Sequence, residues 1–119
     1  MKGLFIFPVV LFLLFGTPAS ADFQKGLDAI KGGDYVTALK ELQPLAEQGD
    51  GVSQYHLGVL YDLGQGVSQD YKVAIKWWDV ASSQGFESAT ENRNLVETYL
   101  SPTQMEKAKK LSLECFAKN

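Results

Sequence analysis

The stretch that decides the fold is GDGVSQYHLGVLYDLGQGVSQDYKVAIKWWDVASSQG, residues 49–85. Over residues 53–63, and again over residues 70–82, apolar side chains recur three and four positions apart, which is the spacing of one face of an α-helix. Gly64 and Gly85 follow the two runs, at the position where glycine commonly ends a helix. The stretch therefore predicts two helices joined by a short turn.

The same pattern occurs upstream, which indicates an internal repeat. DYVTA at residues 34–38 returns as DYKVA at residues 70–74, an offset of 36 residues. A period of this length is typical of stacked helix–turn–helix units. The upstream segment predicts helices over residues 23–31 and 35–47, with Asp34 as the N-cap of the second. Pro44 conflicts with that second helix and predicts a kink or an early end there.

The downstream segment adds a last helix. Ser101-Pro102-Thr103-Gln104 is typical of a helix start, because serine caps, proline fits the first turn and Gln104 can return a bond to the cap backbone. No segment shows the alternating pattern of a strand convincingly. We therefore predict an all-α chain, an α/α solenoid of about three stacked helix–turn–helix repeats. The predicted units are residues 22–48, 49–84 and 85–119.

The amino terminus predicts an export signal. Lys2 precedes an apolar run at residues 4–15, and the small residues Ala19-Ser20-Ala21 follow, as at a signal-peptidase site. We expect residues 1–21 to be removed as a signal peptide, which leaves a domain of residues 22–119 in the periplasm or outside the cell, with no stable membrane insertion. The alternative is a membrane-tethered structural element that keeps residues 4–15 as an anchor, although a spanning helix needs about 20 residues.

Charge and cysteine content exclude several kinds of partner. Residues 22–119 carry 10 basic and 14 acidic side chains, a net charge of −4, and no dense basic patch. Nucleic acid is therefore not an expected partner. The single cysteine, Cys115, excludes an intrachain disulfide and a zinc-binding cysteine cluster. We expect Cys115 to be an apolar contact in the last helix, with an intermolecular disulfide as the alternative.

Residues 49–85 resemble one full repeat of the Sel-one-like repeat family, which is similar to the tetratricopeptide repeats. Residues 22–48 resemble a looser tetratricopeptide-type pair, and residues 89–108 resemble the closing unit of such proteins. The resemblance implies an adaptor or scaffold role in protein complexes, often at the bacterial envelope or in contact with a host. The repeat-defining matches are Leu57, Gly58, Tyr61, Gly64, Gly66, Val67, Asp70, Ala74, Trp77, Ala81 and Gly85.

The small residues of the pattern have a physical role. Gly58 and Ala74 lack bulk, so the two helices of the unit can approach closely. Gly64 and Gly66 can adopt positive φ in the turn at little steric cost. A polar terminal unit is needed where stacking stops, and four basic residues suit its solvent-facing side: Arg93, Lys107, Lys109 and Lys110.

The sequence offers little catalytic chemistry. Residues 37–40, Thr-Ala-Leu-Lys, resemble the Ser-x-x-Lys motif of penicillin-recognising enzymes, but the paired cysteines of penicillin-linked relatives are missing. His56 has no second ligand at metal-binding spacing. We therefore predict no catalytic, cofactor-binding or metal-binding residues and no enzyme activity. A cell-wall-acting or penicillin-binding enzyme is the competing hypothesis.

Aromatic side chains are the candidates for partner binding. Trp77 and Trp78 differ by about 100° on a helix, so one is structural and the other either anchors a partner or also packs between helices. We expect a protein or peptide partner in the groove of the stacked repeats. Acidic side chains such as Asp62, Asp79 and Glu87 would supply the rim. The predicted partner-binding residues are Tyr55, Tyr61, Tyr71, Trp77 and Trp78.

Overall fold

The computed structural model describes residues 21–118, and the predicted signal peptide lies outside them except for Ala21. This part of the chain contains helices and turns and no strand, as the all-α prediction requires. Its six helices are α1 (Phe23–Gly32), α2 (Tyr35–Glu47), α3 (Gly51–Leu63), α4 (Tyr71–Ser83), α5 (Glu87–Glu97) and α6 (Pro102–Lys118).

Aspartate residues set the starts of the first four helices. Asp22, Asp34, Asp50 and Asp70 are the N-caps, and each side chain accepts a hydrogen bond from a backbone N–H in the first turn. The prediction for Asp34 is confirmed. Because Asp50 caps α3 by accepting from the Ser53 N–H at 2.9 Å, that helix begins two residues before the apolar periodicity does.

The predicted start of the last helix is also confirmed. The Gln104 N–H donates to Ser101 Oγ at 3.2 Å, and the Ser101 N–H donates to Gln104 Oε1 at 2.9 Å. This reciprocal pair satisfies two donors at the start of α6, which the helix itself leaves without partners.

The early helix end predicted at Pro44 is wrong, because α2 continues through Pro44 to Glu47. Proline lacks an N–H donor and its ring crowds the carbonyl four residues earlier, but it keeps its own carbonyl acceptor. Its carbonyl still accepts from the Gln48 N–H at 3.1 Å, and the Asp50 N–H closes the end on the Leu45 carbonyl at 3.0 Å. The kink that we gave as the other possibility stays a prediction.

The first four helices each pack on the next one along the chain, and the last two helices both pack on α4. Helices α1 and α2 pair, α2 packs on α3, and α4 packs against α3, α5 and α6. One apolar cluster joins α2, α3 and Trp77, and the other joins Trp78 to α5 and α6. The two indoles therefore lie on different sides of α4, as their angular separation requires. Trp77 and Trp78 are 4% and 1% exposed.

The predicted close approach of α3 and α4 is confirmed at Gly58. A Cβ atom at this position would lie 2.6 Å from Trp78 Cε2, so only glycine fits against the indole. Ala74 is fully buried on the facing helix. Gly64 and Gly66 have φ of 66° and 75°, the left-handed conformation predicted for the turn.

Helices α5 and α6 attach to α4 through a polar network. Asp79 of α4 accepts from Arg93 Nε of α5 at 2.5 Å and from Ser112 Oγ of α6 at 2.6 Å. Arg93 also pairs with Glu97 at 2.8 Å. The solvent-facing position predicted for Arg93 is therefore wrong, because the guanidinium binds a carboxylate of the preceding unit. Lys107, Lys109 and Lys110 are exposed, as expected.

Candidate functional site

A groove of about 430 Å³ lies between α2, α4 and α6. Helix α6 packs on α4, whereas α2 packs on α1 and α3. A space is consequently left between α2 and α6, with α4 as its base. Eight residues line it: Gln43, Ala46 and Glu47 of α2, Lys76 and Trp77 of α4, and Leu111, Glu114 and Cys115 of α6.

Trp77 lies at the base of the groove and is 4% exposed. Its side chain belongs to the same apolar cluster as Ala46, which is also buried and also lines the groove. The Lys76 ammonium lies 4.1 Å from the centroid of the Trp77 ring, within the range of a cation–π interaction. Leu111 adds half-buried apolar surface from the opposite wall. The base of the groove is therefore apolar but barely exposed at Ala46 and Trp77, and Leu111 provides its more open apolar surface.

The rim of the groove is polar. Glu47 and Glu114 are exposed on opposite walls. Gln43 Nε2 donates to Glu47 Oε1 at 3.3 Å along α2, which orients this carboxylate. The half-buried thiol of Cys115 completes the α6 wall. None of these lining side chains is a histidine or a hydroxyl, and the arrangement of an apolar base with a polar rim suits binding.

The structure places the two predicted tryptophans differently. Trp77 lines the groove. Trp78 faces the other apolar cluster, and its Nε1 donates to the Tyr55 carbonyl at 3.1 Å. Both indoles are buried, which matches the possibility that both pack between helices. Of the two, only Trp77 lines the groove. Trp78 is 1% exposed, and its role in partner binding stays a prediction.

The three predicted tyrosines lie outside the groove and are half-buried. The Tyr55 hydroxyl accepts from Asn92 Nδ2 at 3.4 Å, and the Tyr71 hydroxyl accepts from Gln69 Nε2 at 3.1 Å. Tyr61 packs against both apolar clusters. The five predicted residues therefore do not form one surface, and the binding role of the tyrosines stays a prediction.

Two of the expected rim acids have other surroundings. Asp79 is bound to Arg93 and Ser112, so its carboxylate is already used within the chain. Asp62 is half-buried, and burial raises its pKa above the ordinary 3.8. Glu47 and Glu114 supply the rim charge in their place. The sequence does not indicate Glu47 and Glu114, because these residues of α2 and α6 line one groove only when α6 packs on α4.

The histidine shows no metal-binding arrangement. His56 is half-buried, with its ring 5.3 Å from that of Tyr55 in an edge-on contact. Burial lowers the pKa of His56 below 6.5, and the nearby charge of Asp50 partly opposes this. Within residues 21–118, no three His, Cys, Asp or Glu side chains come together as metal ligands would.

The described helices are short or charged compared with a membrane-spanning helix. The longest helix, α6, has 17 residues and is strongly charged. Across the described part of the chain, no helix combines the length and the apolar character that crossing a bilayer demands.

Comparison with known proteins agrees with the fold. The family model described as the Sel1 repeat matches residues 51–86. A similar solved structure is that of c5321, described as a protective antigen present in uropathogenic Escherichia coli strains and displaying an SLR fold. The match has 34% identity and a TM-score of 0.73 over 81% of this chain. It spans 22% of the length of that protein. No curated protein matches the sequence significantly.

The family match falls on two of the six described helices. Residues 51–86 contain α3, α4 and the turn between them, where the motif residues from Leu57 to Gly85 lie. The resemblance inferred from those residues is confirmed: the chain carries a Sel1 repeat at residues 51–86 within a helical-repeat SLR fold.

Proposed function

We propose that this protein is exported and binds a segment of another protein in the groove between α2, α4 and α6. The Sel1 repeat and the SLR fold indicate a helical-repeat protein-interaction module. The observation that carries the proposal is the groove itself, because Leu111 adds half-buried apolar surface next to its base at Trp77, under a rim of exposed polar groups. Such a surface is typical of an interface that holds one anchoring side chain.

The chemistry of the rim favours a particular kind of segment. Glu47 and Glu114 place two carboxylates at the opening, and the one cation of the lining, Lys76, lies against Trp77. A partner segment with an apolar anchor next to a lysine or arginine would match both features. The net charge of −4 on residues 22–119 would also attract such a segment over longer distances.

The export part of the proposal is supported by the sequence of the amino terminus. Lys2, the apolar residues 4–15 and the small residues before Asp22 have the order of a secretory signal. Under this proposal the binding domain acts in the periplasm or outside the cell. N-terminal sequencing of the protein recovered from cells that express the full-length sequence tests this part separately.

Cys115 provides a direct test of the groove. It is the one cysteine of the sequence and it lines the groove, so a thiol-reactive photocrosslinker can be attached there alone. The matched control carries Cys115→Ser and Ser88→Cys, which moves the probe to an exposed position on α5. We expect a partner crosslinked from Cys115 and absent from the control.

Charge reversal on the rim is the second arm of the test. The Glu47→Arg and Glu114→Arg variants should each reduce the yield of that crosslinked partner, while Glu91→Arg on the exposed face of α5 should not. A partner that crosslinks equally from both probe positions, or that is insensitive to the rim charges, would contradict binding in the groove.

A further inference from the structure

The first backbone amide before α1 contacts a buried carboxylate. The Asp22 N–H donates to Glu41 Oε2 at 2.9 Å. Glu41 lies in α2 and is 4% exposed, which is unusual for a glutamate. This contact joins the first residue before α1 to the middle of the neighbouring helix.

The charge of Glu41 is only weakly compensated within the described chain. Its other oxygen, Oε1, lies 3.4 Å from Lys25 Nζ, but the Lys25 side chain is 63% exposed and strongly hydrated. An ammonium group that stays largely in water offsets the charge of a buried carboxylate only in part. A buried carboxylate needs a close positive charge or several donors to offset its loss of hydration. A neutral amide N–H at Asp22 supplies only one donor and no charge.

The position of this amide coincides with the predicted cleavage point. Ala19-Ser20-Ala21 directly precedes Asp22, and cleavage after Ala21 hydrolyses the bond to the nitrogen that contacts Glu41. Water adds across that peptide bond, which leaves a carboxylate on Ala21 and an amino group on Asp22 that is protonated at neutral pH. We propose that Glu41 is the binding site for the α-ammonium group that processing creates at Asp22.

The processed terminus suits the site better than the peptide bond does. An ammonium group has three N–H donors and a full charge, so it can serve Glu41 Oε2 with a charge-assisted bond. The positive end of the α1 dipole opposes a cation there, but the Asp22 carboxylate, which accepts from the Lys25 N–H at 3.1 Å, lies at the same end. The charged groups around the terminus are thus Glu41 from α2, Lys25 from α1 and Asp22 at the N-cap of α1. The inference rests on the export part of the proposed function and is independent of the groove.

The pairing has a definite dependence on pH. An α-amino group ordinarily titrates at about 7.7–8.0, and pairing with a carboxylate in the folded state raises that pKa. The folded state then binds the proton more tightly than the unfolded state does. The stabilisation is therefore fully present below the pKa of the amino group in the unfolded chain. It is lost as pH rises through the higher pKa of that group in the folded state.

The first experiment locates the cut. The full-length sequence is expressed with its leader, and the mass and N-terminal sequence of the exported protein are determined. We expect the chain to begin at Asp22. A different first residue would overturn this inference and would leave binding in the groove unaffected.

The second experiment compares the processed protein with the same protein acetylated selectively on its α-amino group. Acetylation keeps an N–H donor but removes the charge. At about pH 7, where the unmodified amine is mostly charged, we expect the unfolding constant to rise about tenfold on acetylation. The difference should shrink as pH is raised through the titration of the amine. Equal stability of the two forms would overturn the pairing.

Two variants separate the pair from other effects of acetylation. In Glu41→Gln the acetylation effect should disappear, because no carboxylate remains to bind the ammonium. In Glu47→Gln, an exposed position on the same helix, the effect should keep its full size. If Glu41→Gln does not fold, the pH dependence of the acetylation effect in the unchanged sequence still decides the question.

Discussion

Within the middle unit α3 packs on α4 in one way, and the helices of the closing unit attach to α4 in another. Between α3 and α4 the contact is apolar and close, with Gly58 directly against the indole of Trp78. Between α4 and the last two helices, Asp79 joins Arg93 and Ser112 beside a small apolar cluster. The inner contact depends on shape, whereas the outer one depends on satisfying charges and hydroxyl groups that α5 and α6 bring with them.

The contrast follows from how much surface each helix can bury. Helix α4 is packed on three neighbours and buries six residues, whereas α5 buries only Ala89 and Val96. A helix with one thin apolar edge gains little from area alone. A partly shielded ion pair and hydrogen bonds to Asp79 then fix its position. The terminal unit can thereby present a polar surface and still be attached in one arrangement.

The largest loss of stability is expected at the close contact between α3 and α4. Gly58→Ala would place a methyl group against the Trp78 indole, whose side chain is 1% exposed and has no room to move. We expect a loss of about 2–3 kcal/mol in the free energy of unfolding, even after the gain of about 1 kcal/mol in helix propensity. Urea unfolding followed by circular dichroism measures it.

Gly32→Ala is the matched control for this substitution. It adds the same methyl group near the end of α1, where nothing lies within 4 Å of the new atom. Its free energy of unfolding should be unchanged or slightly higher. Equal losses in the two variants would show that the close contact of α3 with α4 is not what stabilises the middle unit.

A smaller loss is expected from the polar contact. Asp79→Ala removes the acceptor of both Arg93 and Ser112, and the Asp79 and Arg93 side chains are about one-fifth exposed. We expect a loss of about 1–2 kcal/mol, with faster amide hydrogen exchange in α6 than in α3. Glu91→Ala, an exposed acid of α5, is the control and should change neither quantity. Uniformly faster exchange in all six helices would contradict a local role.

The helix caps extend the comparison. Asp50 accepts from both the N–H and the hydroxyl of Ser53, which is fully buried, whereas Ser101 makes its capping bonds at an exposed position. Asp50→Ala leaves a buried hydroxyl without its partner and should cost about 2 kcal/mol, against about 1 kcal/mol for Ser101→Ala. Chemical unfolding of both variants tests the order, and a larger loss for Ser101→Ala would reverse it.

These contrasts also explain what could be predicted from sequence. Asp34, Gly64 and the Ser101–Gln104 cap were predicted correctly because each depends on neighbours within a few positions. Arg93 was misplaced because its partner, Asp79, lies 14 residues earlier on another helix. The groove was missed for the same reason at longer range. Gln43 and Cys115 line one surface only after α2 and α6 are stacked on either side of α4.

The smallest expected effect concerns His56 of α3, in the middle unit. Burial lowers its pKa below 6.5, so the folded protein holds this proton less tightly than the unfolded chain does. The free energy of unfolding is therefore highest above the pKa that His56 has in the unfolded chain. It falls as pH drops from that pKa to the lower pKa of the folded state. His56→Gln should remove this slope, measured by urea unfolding at several pH values. The pKa of Asp62 is raised, so its protonation favours the folded state as pH falls, and it does so in a more acidic range. Asp62 therefore cannot produce the loss of stability expected from His56. An unchanged slope in His56→Gln would show that the half-buried imidazole is not the group that makes the middle unit sensitive to pH.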